Sequence, residues 1–390
     1  MKTAFLVLYS AVLAASASLV PRSALNHGQK PLPYRGFDIS SLLVEERKNV
    51  SYINTQRGNR TEPMEDILGA KGTNTYRLRL WVDPVDPTYQ GYGLDYNIEL
   101  ASRLHKKGYK IYLDYHFSHT WADPQKQFIP PAWEGQTLSQ TASTIRKYVK
   151  TTLLAFHKAS IPIEIASLGN EIRNGMLWPL AQTYPFLEPR SARIANFTNL
   201  ATVWAAARRG LDDAVHAGAH RPLTMIHVDN GYNTTLQLNW YDALFSTGLV
   251  RPSDVDIFGV SFYPFYGLNA TLKNLLDTAN ALTAKYPKPF HVVETDWPVI
   301  CEGVDLSEPR FPVSADGQTQ WVRAIIDVLH KVRGGWGQGI NFWEPGFVDV
   351  TSLGSNCTDA LAFQVDWSGW PSDIKAYSRS SVDMFANGRG

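Results

Sequence analysis

Short apolar runs of strand length take turns along this chain with longer stretches whose apolar positions recur every three or four residues. Thr75–Val82 (TYRLRLWV) shows the strand period most plainly. Tyr76, Leu78, Leu80 and Val82 fall on one face, and Arg77, Arg79 and Trp81 on the other. Tyr96–Lys107 shows the helical period, with Tyr96, Leu100, Ala101 and Leu104 as its buried stripe. Asp95 is placed to cap its start, and Lys106, Lys107 and Gly108 suit its end. Lys110–Phe117 then reads as the next strand, so this unit is a right-handed crossover and the sheet is parallel.

The alternation continues to the end of the chain. Helices are predicted over Thr141–Lys158, Arg193–Ala217, Leu272–Lys285 and Gln318–Arg333. Strands are predicted over Arg35–Ser40, Ile163–Asn170, Leu223–Asp229, Asp256–Tyr263, Phe290–Glu294 and Gly339–Trp343. With the two already named, the strands number eight, which closes a barrel. The expected fold is therefore α/β, a (β/α)8 TIM barrel forming one domain over residues 34–390, with its active site at the C-terminal ends of the strands. No linker, low-complexity tract or charge block divides it.

Met1–Ala17 stands outside this pattern. Lys2, the apolar stretch Phe5–Ala15 and Ala15-Ser16-Ala17 form the three parts of a cleaved signal peptide, with residues 18–33 as an extension before the barrel. The apolar part is too short to span a bilayer, so the protein is expected to be secreted, with no membrane partner. A net charge of +1 with 19% charged residues and no basic run excludes nucleic acid as a partner. Nothing signals oligomerisation, and a monomer is expected. In an oxidising compartment Cys301 and Cys357, the only cysteines, should pair. Six glycosylation sequons begin at Asn49, Asn59, Asn196, Asn233, Asn269 and Asn356.

The chemistry gathers where apolar strands stop. Glu171 follows the run IEIASLGN, and Glu294 ends FHVV. Burying either carboxylate among apolar side chains would cost several kcal/mol, whereas a strand's end lets it face a cleft. These are the fourth and seventh strands of the count. Two carboxylates at one end of a barrel are what retaining glycoside hydrolysis requires, one protonating the leaving oxygen and the other attacking the anomeric carbon across roughly 5 Å. The competing view is that each simply pairs with an arginine. Asn170 is placed to hold a sugar 2-hydroxyl, and Arg77 or Arg79 to bind the nucleophile's carboxylate and keep it ionised. Asp38, Asp114, His116, His227, Asp229 and Tyr263 project towards the same mouth. With 12 Trp and 18 Tyr, the chain is rich enough in rings to supply sugar-stacking platforms, and Trp343, Trp297, Trp81 and Trp121 are the candidates. No metal-ligand spacing such as HExxH occurs, and neither a metal nor a cofactor is expected.

The segments YRGFDISSLLVEER, RLRLWVDP, LDYHFSHTWADP, LGNEI, MIHVDNG, GVSFYPFY, VVETDWP and FWEP, in this order, resemble the endo-β-1,4-galactanases of glycoside hydrolase family 53, most closely the fungal secreted type. The resemblance runs from about Tyr34 to Phe363. It implies double-displacement hydrolysis of β-1,4-linked galactan, the side chains of type I arabinogalactan in pectin. It also implies Glu171 as acid/base, Glu294 as nucleophile and Arg77 as the nucleophile's support, a choice alternation alone leaves open between Arg77 and Arg79. Some bacterial relatives hold calcium in the loop after the seventh strand. Here that loop carries Cys301, and a Cys301–Cys357 bridge would clip it to the loop after the eighth. The remaining alternatives are a related barrel glycosidase acting on mannan, glucan or xylan, and a barrel that binds carbohydrate without cleaving it.

Overall fold

In the computed structural model, which describes residues 30–84, 91–355 and 357–386, eight parallel strands close into a barrel. They are β1 (Tyr34–Asp38), β2 (Thr75–Leu80), β3 (Lys110–Tyr115), β4 (Ile163–Leu168), β5 (Leu223–Val228), β6 (Ile257–Ser261), β7 (Phe290–Glu294) and β8 (Gly337–Phe342). Closure comes from β1, which pairs with β8 on one side and β2 on the other. All eight lie where the apolar pattern placed them, with ends shifted by a few residues. The proposed signal peptide, the extension as far as residue 29, and the Asn356 sequon lie outside the described residues.

Alternation along each strand divides the barrel. Outward side chains such as Tyr76, Leu78 and Leu80 join the large core under the helices. Inside, Tyr34, Tyr112, Ile165, Met225, Ile257 and Val293 form a separate apolar plug. Above it the interior turns polar, with Asp38, Arg77, Asp114, His227, Ser261 and Glu294 all buried. Where β1 meets β2 only glycine fits, because a Cβ on Gly36 would lie 1.7 Å from the Thr75 carbonyl oxygen.

The helices Leu94–Lys106, Leu138–Lys158, Leu272–Lys285 and Ala315–Lys331 match the expected ones. Thr137 and Gln140 form a capping box at the start of Leu138–Lys158, a local signal readable in the sequence. The single helix expected over Arg193–Ala217 is instead two, Arg190–Asn196 and Thr198–His216, which meet at Phe197. Thr234–Ser246 is a helix the period missed, because its apolar residues spread around the axis instead of along one stripe. A four-stranded sheet beside the barrel, from Phe363–Asp366, Ile374–Ser378, Val50–Asn54 and Arg60–Thr61, was also missed. No helix among the described residues is long and apolar enough to cross a membrane.

Cys301 and Cys357 are bonded, joining the loop after β7 to the loop after β8 across 56 residues of chain. In the chain-entropy account a closure of this length contributes about 4 kcal/mol. Cys357→Ser should lower the unfolding free energy by up to that amount in denaturant titrations. Of the sequon asparagines, Asn49, Asn59 and Asn269 are exposed. Asn196 and Asn233 are half-buried, and their Oδ1 atoms accept backbone N–H bonds from Tyr184 and Leu236.

Candidate active site

Both glutamates stand at the C-terminal mouth of the barrel, but the backbone delivers them differently. Glu294 is the last residue of β7. Glu171 lies three residues beyond β4, after Gly169 at φ 107°, and itself adopts a left-handed conformation at φ 47°. For a non-glycine residue that conformation costs about 1–2 kcal/mol. Phe117, Asn230 and Glu344 carry φ of 50°, 53° and 43° just beyond β3, β5 and β8. Backbone strain is thus concentrated at the mouth, where the fold holds side chains in poses that an extended strand would not present.

Beneath the glutamates the fully buried Arg77 guanidinium organises the floor. Its Nη1 lies 2.6 Å from Asp38 Oδ2. Its Nη2 lies 2.9 Å from Asp114 Oδ2, 2.7 Å from Glu294 Oε1 and 2.8 Å from Asn170 Oδ1. Arg79, nearer the mouth, instead binds Glu344 Oε1 at 2.5 Å and lies 4.2 and 4.5 Å from the ring centres of Tyr92 and Trp121. The choice that alternation left open therefore falls on Arg77. Tyr263 completes the support of Glu294, its hydroxyl donating to Oε2 at 3.0 Å.

Ser261 joins the two carboxyls. Its Oγ lies 2.5 Å from Glu171 Oε1 and 3.5 Å from Glu294 Oε2. His227 lies behind it, with Nε2 2.8 Å from Ser261 Oγ and Nδ1 2.9 Å from Asn170 Oδ1. Side-chain ligand atoms of Glu171, His227 and Glu294 all lie within 4.8 Å of one another. That set has the chemistry of a metal site, but both His227 nitrogens are spent on Asn170 and Ser261, and Glu294 is held by Arg77 and Tyr263.

Burial raises the pKa of both glutamates. For Glu171 the effect is large, and the neighbouring charges of Glu294 and Asp229 add to it. For Glu294 the burial is opposed by Arg77, while Asp114 and Asp38 push the same way as burial. The Arg77 cation favours a charge on Glu294, while the charges of Glu294 and Asp229 disfavour one on Glu171. Burial also lowers the pKa of His116 and, far more, that of His227, where the Arg77 charge assists.

Above the pair opens a cleft of about 870 Å³. Asn170, His116, Asp229, Tyr263, Trp121, Trp343 and Arg79 line it, as the sequence reading expected. Four expectations need correction. Trp297 is fully buried, donating to the Pro312 carbonyl and packing on Phe311 and Trp321, so its ring is not on the cleft surface. Trp81 is buried as well, and its indole N–H donates to His116 Nδ1 at 3.1 Å. Asp38 and Asp114 lie under the floor, bound to Arg77. Sequence reasoning missed Ser261, Glu344, Asp123, Arg173 and Tyr266. Ser261 shares the inward face with Gly259 and Tyr263 by alternation, yet carries no charge to draw notice; Glu344 adjoins the noted Trp343 in FWEP.

Comparison with known proteins agrees with this geometry. The model of the family described as Glycosyl hydrolase family 53 matches residues 34–380. A probable arabinogalactan endo-beta-1,4-galactanase A of Aspergillus fumigatus is 39% identical over 361 residues, covering 91% of this chain and 93% of the relative. Arabinogalactan endo-beta-1,4-galactanase A of Emericella nidulans is 39% identical over 355 residues, covering 90% and 95%. Among solved structures, a fungal beta-1,4-galactanase superposes with a TM-score of 0.80 at 36% identity, covering 91% of this chain and 99% of that one.

Proposed function

This chain belongs to glycosyl hydrolase family 53, and from that membership we propose that it is a secreted endo-acting enzyme cleaving β-1,4-galactosidic bonds of galactan and type I arabinogalactan with retention of configuration. That it is a glycoside hydrolase follows from the family; the galactan substrate is the one its fungal relatives are named for. Secretion rests on Met1–Ala17 and on the Cys301–Cys357 bridge, a bond that persists in oxidising compartments.

One observation carries the mechanism: one carboxylate oxygen of Glu171 and one of Glu294 lie within 4.8 Å of each other at one mouth. Retaining enzymes place their carboxyls about 5 Å apart, whereas inverting ones leave a gap of roughly 6.5–9.5 Å for a water molecule. In this reading Glu294 attacks the anomeric carbon while Glu171 passes its proton to the glycosidic oxygen. The resulting glycosyl ester is then hydrolysed by water, whose proton Glu171 takes back. Arg77 and Tyr263 aim the nucleophile and hold it ionised. Asn170 donates one Nδ2 hydrogen to the Ala122 carbonyl at 2.8 Å, leaving the second for the sugar 2-hydroxyl. Trp121 and Trp343, with ring centres 6.1 Å apart on the cleft wall, offer apolar faces to pyranose rings.

Glu171→Gln tests the acid. Turnover of galactan should fall by about 10²–10⁴-fold, the usual worth of general acid–base catalysis. An aryl β-galactoside with a good leaving group should keep much of its rate of ester formation. Equal losses on both substrates would remove Glu171 from the role. New reducing ends should appear from galactan, and not from mannan, glucan or xylan assayed in parallel.

A further inference from the structure

Asn170 fixes the direction of a hydrogen-bond chain that ends on Glu171. On one side of its amide stands Arg77 Nη2, which only donates, at 2.8 Å; on the other stands the Ala122 carbonyl, which only accepts, at 2.8 Å. The amide oxygen must therefore face Arg77. His227 Nδ1 lies 2.9 Å from that same oxygen, so it must carry a hydrogen. Burial and the adjacent Arg77 charge keep the imidazole neutral, and a neutral ring has only that one N–H. Its Nε2 is then a bare acceptor, and Ser261 Oγ, 2.8 Å away, donates to it. A hydroxyl has a single hydrogen, and this one is spent. An ionised Glu171 would accept from Ser261 Oγ, 2.5 Å from its Oε1; with the Ser261 hydrogen spent on His227, Glu171 completes the chain as the protonated acid, donating to Oγ.

We propose that Ser261 and His227 are positioning residues that hold the resting enzyme with its proton on Glu171, Ser261 serving as acceptor for the carboxylic acid. The proposal rests on Glu171 being the acid and adds how its proton is kept. An ionised Glu171 would need the Ser261 hydrogen, setting lone pairs of Nε2 and Oγ against each other. When the acid delivers its proton to the glycosidic oxygen, Ser261 turns its own hydrogen from His227 to the new carboxylate, and no further proton moves. The charges facing Glu171 are Glu294 at the end of β7, Asp229 beyond β5, which Arg173 meets at 3.3 Å, and Asp123 in the loop after β3. All of them remain when Ser261 is changed.

The test is the pH profile of kcat/KM on galactan. Ser261→Ala removes an acceptor for the protonated acid, so the alkaline limb should move to lower pH by about one unit. Ser261→Thr, which keeps the hydroxyl, should restore it. A limb that stays in place or moves to higher pH overturns the proposal, since a serine donating to a carboxylate would give the upward shift on removal. The Glu171 assignment fails separately, if Glu171→Gln retains the wild-type alkaline limb. A readout independent of turnover is the infrared difference between wild type and Glu171→Gln at the pH of maximal kcat/KM. A protonated-carboxyl stretch lost in the variant supports the proposal, and loss of a carboxylate band alone overturns it.

Discussion

Glu294→Ala is expected to abolish galactan cleavage, with a loss in kcat of about 10⁵-fold or more, and to recover turnover of an aryl β-galactoside when azide is added. Losses of that order follow removal of a covalent nucleophile from an otherwise intact site. The recovery follows from what the alanine leaves behind. Arg77, freed from Glu294 Oε1 at 2.7 Å, and the Tyr263 hydroxyl, freed from Oε2 at 3.0 Å, both face the vacated volume. A small anion fits there and attacks the anomeric carbon once, with Glu171 still in place as acid. The product should be the glycosyl azide of inverted configuration, identifiable by its anomeric NMR coupling. Azide without effect on the variant would weigh against Glu294 as nucleophile.

Arg77→Met should cost the protein both stability and activity. The guanidinium is fully buried and reaches Asp38, Asp114 and Glu294 at 2.6–2.9 Å. Removing the cation leaves three carboxyls in one buried pocket, and breaking a buried pair in this way costs about 3–5 kcal/mol. The pH dependence has a definite sign. Burial disfavours charge on Asp114 and Glu294, and Arg77 opposes it at both. Without Arg77 the folded-state pKa of Asp114 rises above that of the unfolded chain and that of Glu294, already above it, rises further, so the penalty is full at neutral pH and shrinks as pH falls towards the ordinary carboxylate range. Glu294 must be ionised to attack, so the acidic limb of kcat/KM should move to higher pH. Denaturant titrations at neutral and acidic pH, together with the rate profile, check both. Arg79→Met should leave that limb nearly in place, because Arg79 binds Glu344 and reaches Asp38 only at 3.7 Å.

How much of this was legible in the chain depends on the range of the interaction. The eight strands were, because an apolar run of strand length is a local property that burial on both sides of a parallel sheet imposes on each segment. Glu171 and Glu294 were, because a carboxylate ending an apolar run has few places to go except a cleft. The helix Thr234–Ser246 was not, since apolar Leu238 and Phe245 stand outside its buried face and polar Gln237 within it, which blurs the stripe. Trp297 misled the reading, because a ring just past a strand end can turn either to the mouth or into the helices, and Phe311 and Trp321 offered the drier packing.

Sequence by itself determined the barrel, the mouth and the placing of two glutamates there, because each is written in the hydrophobic pattern of one segment. Only the tertiary structure decided that Arg77 and not Arg79 meets Glu294, that Ser261 lies between the acids, and that Asn170 sets the direction of the bonds reaching Glu171. Alternation says which side chains point inward; how high each stands, and against what, depends on the stagger of strands far apart in the chain. A hydroxyl with no charge acquires its role from such neighbours alone.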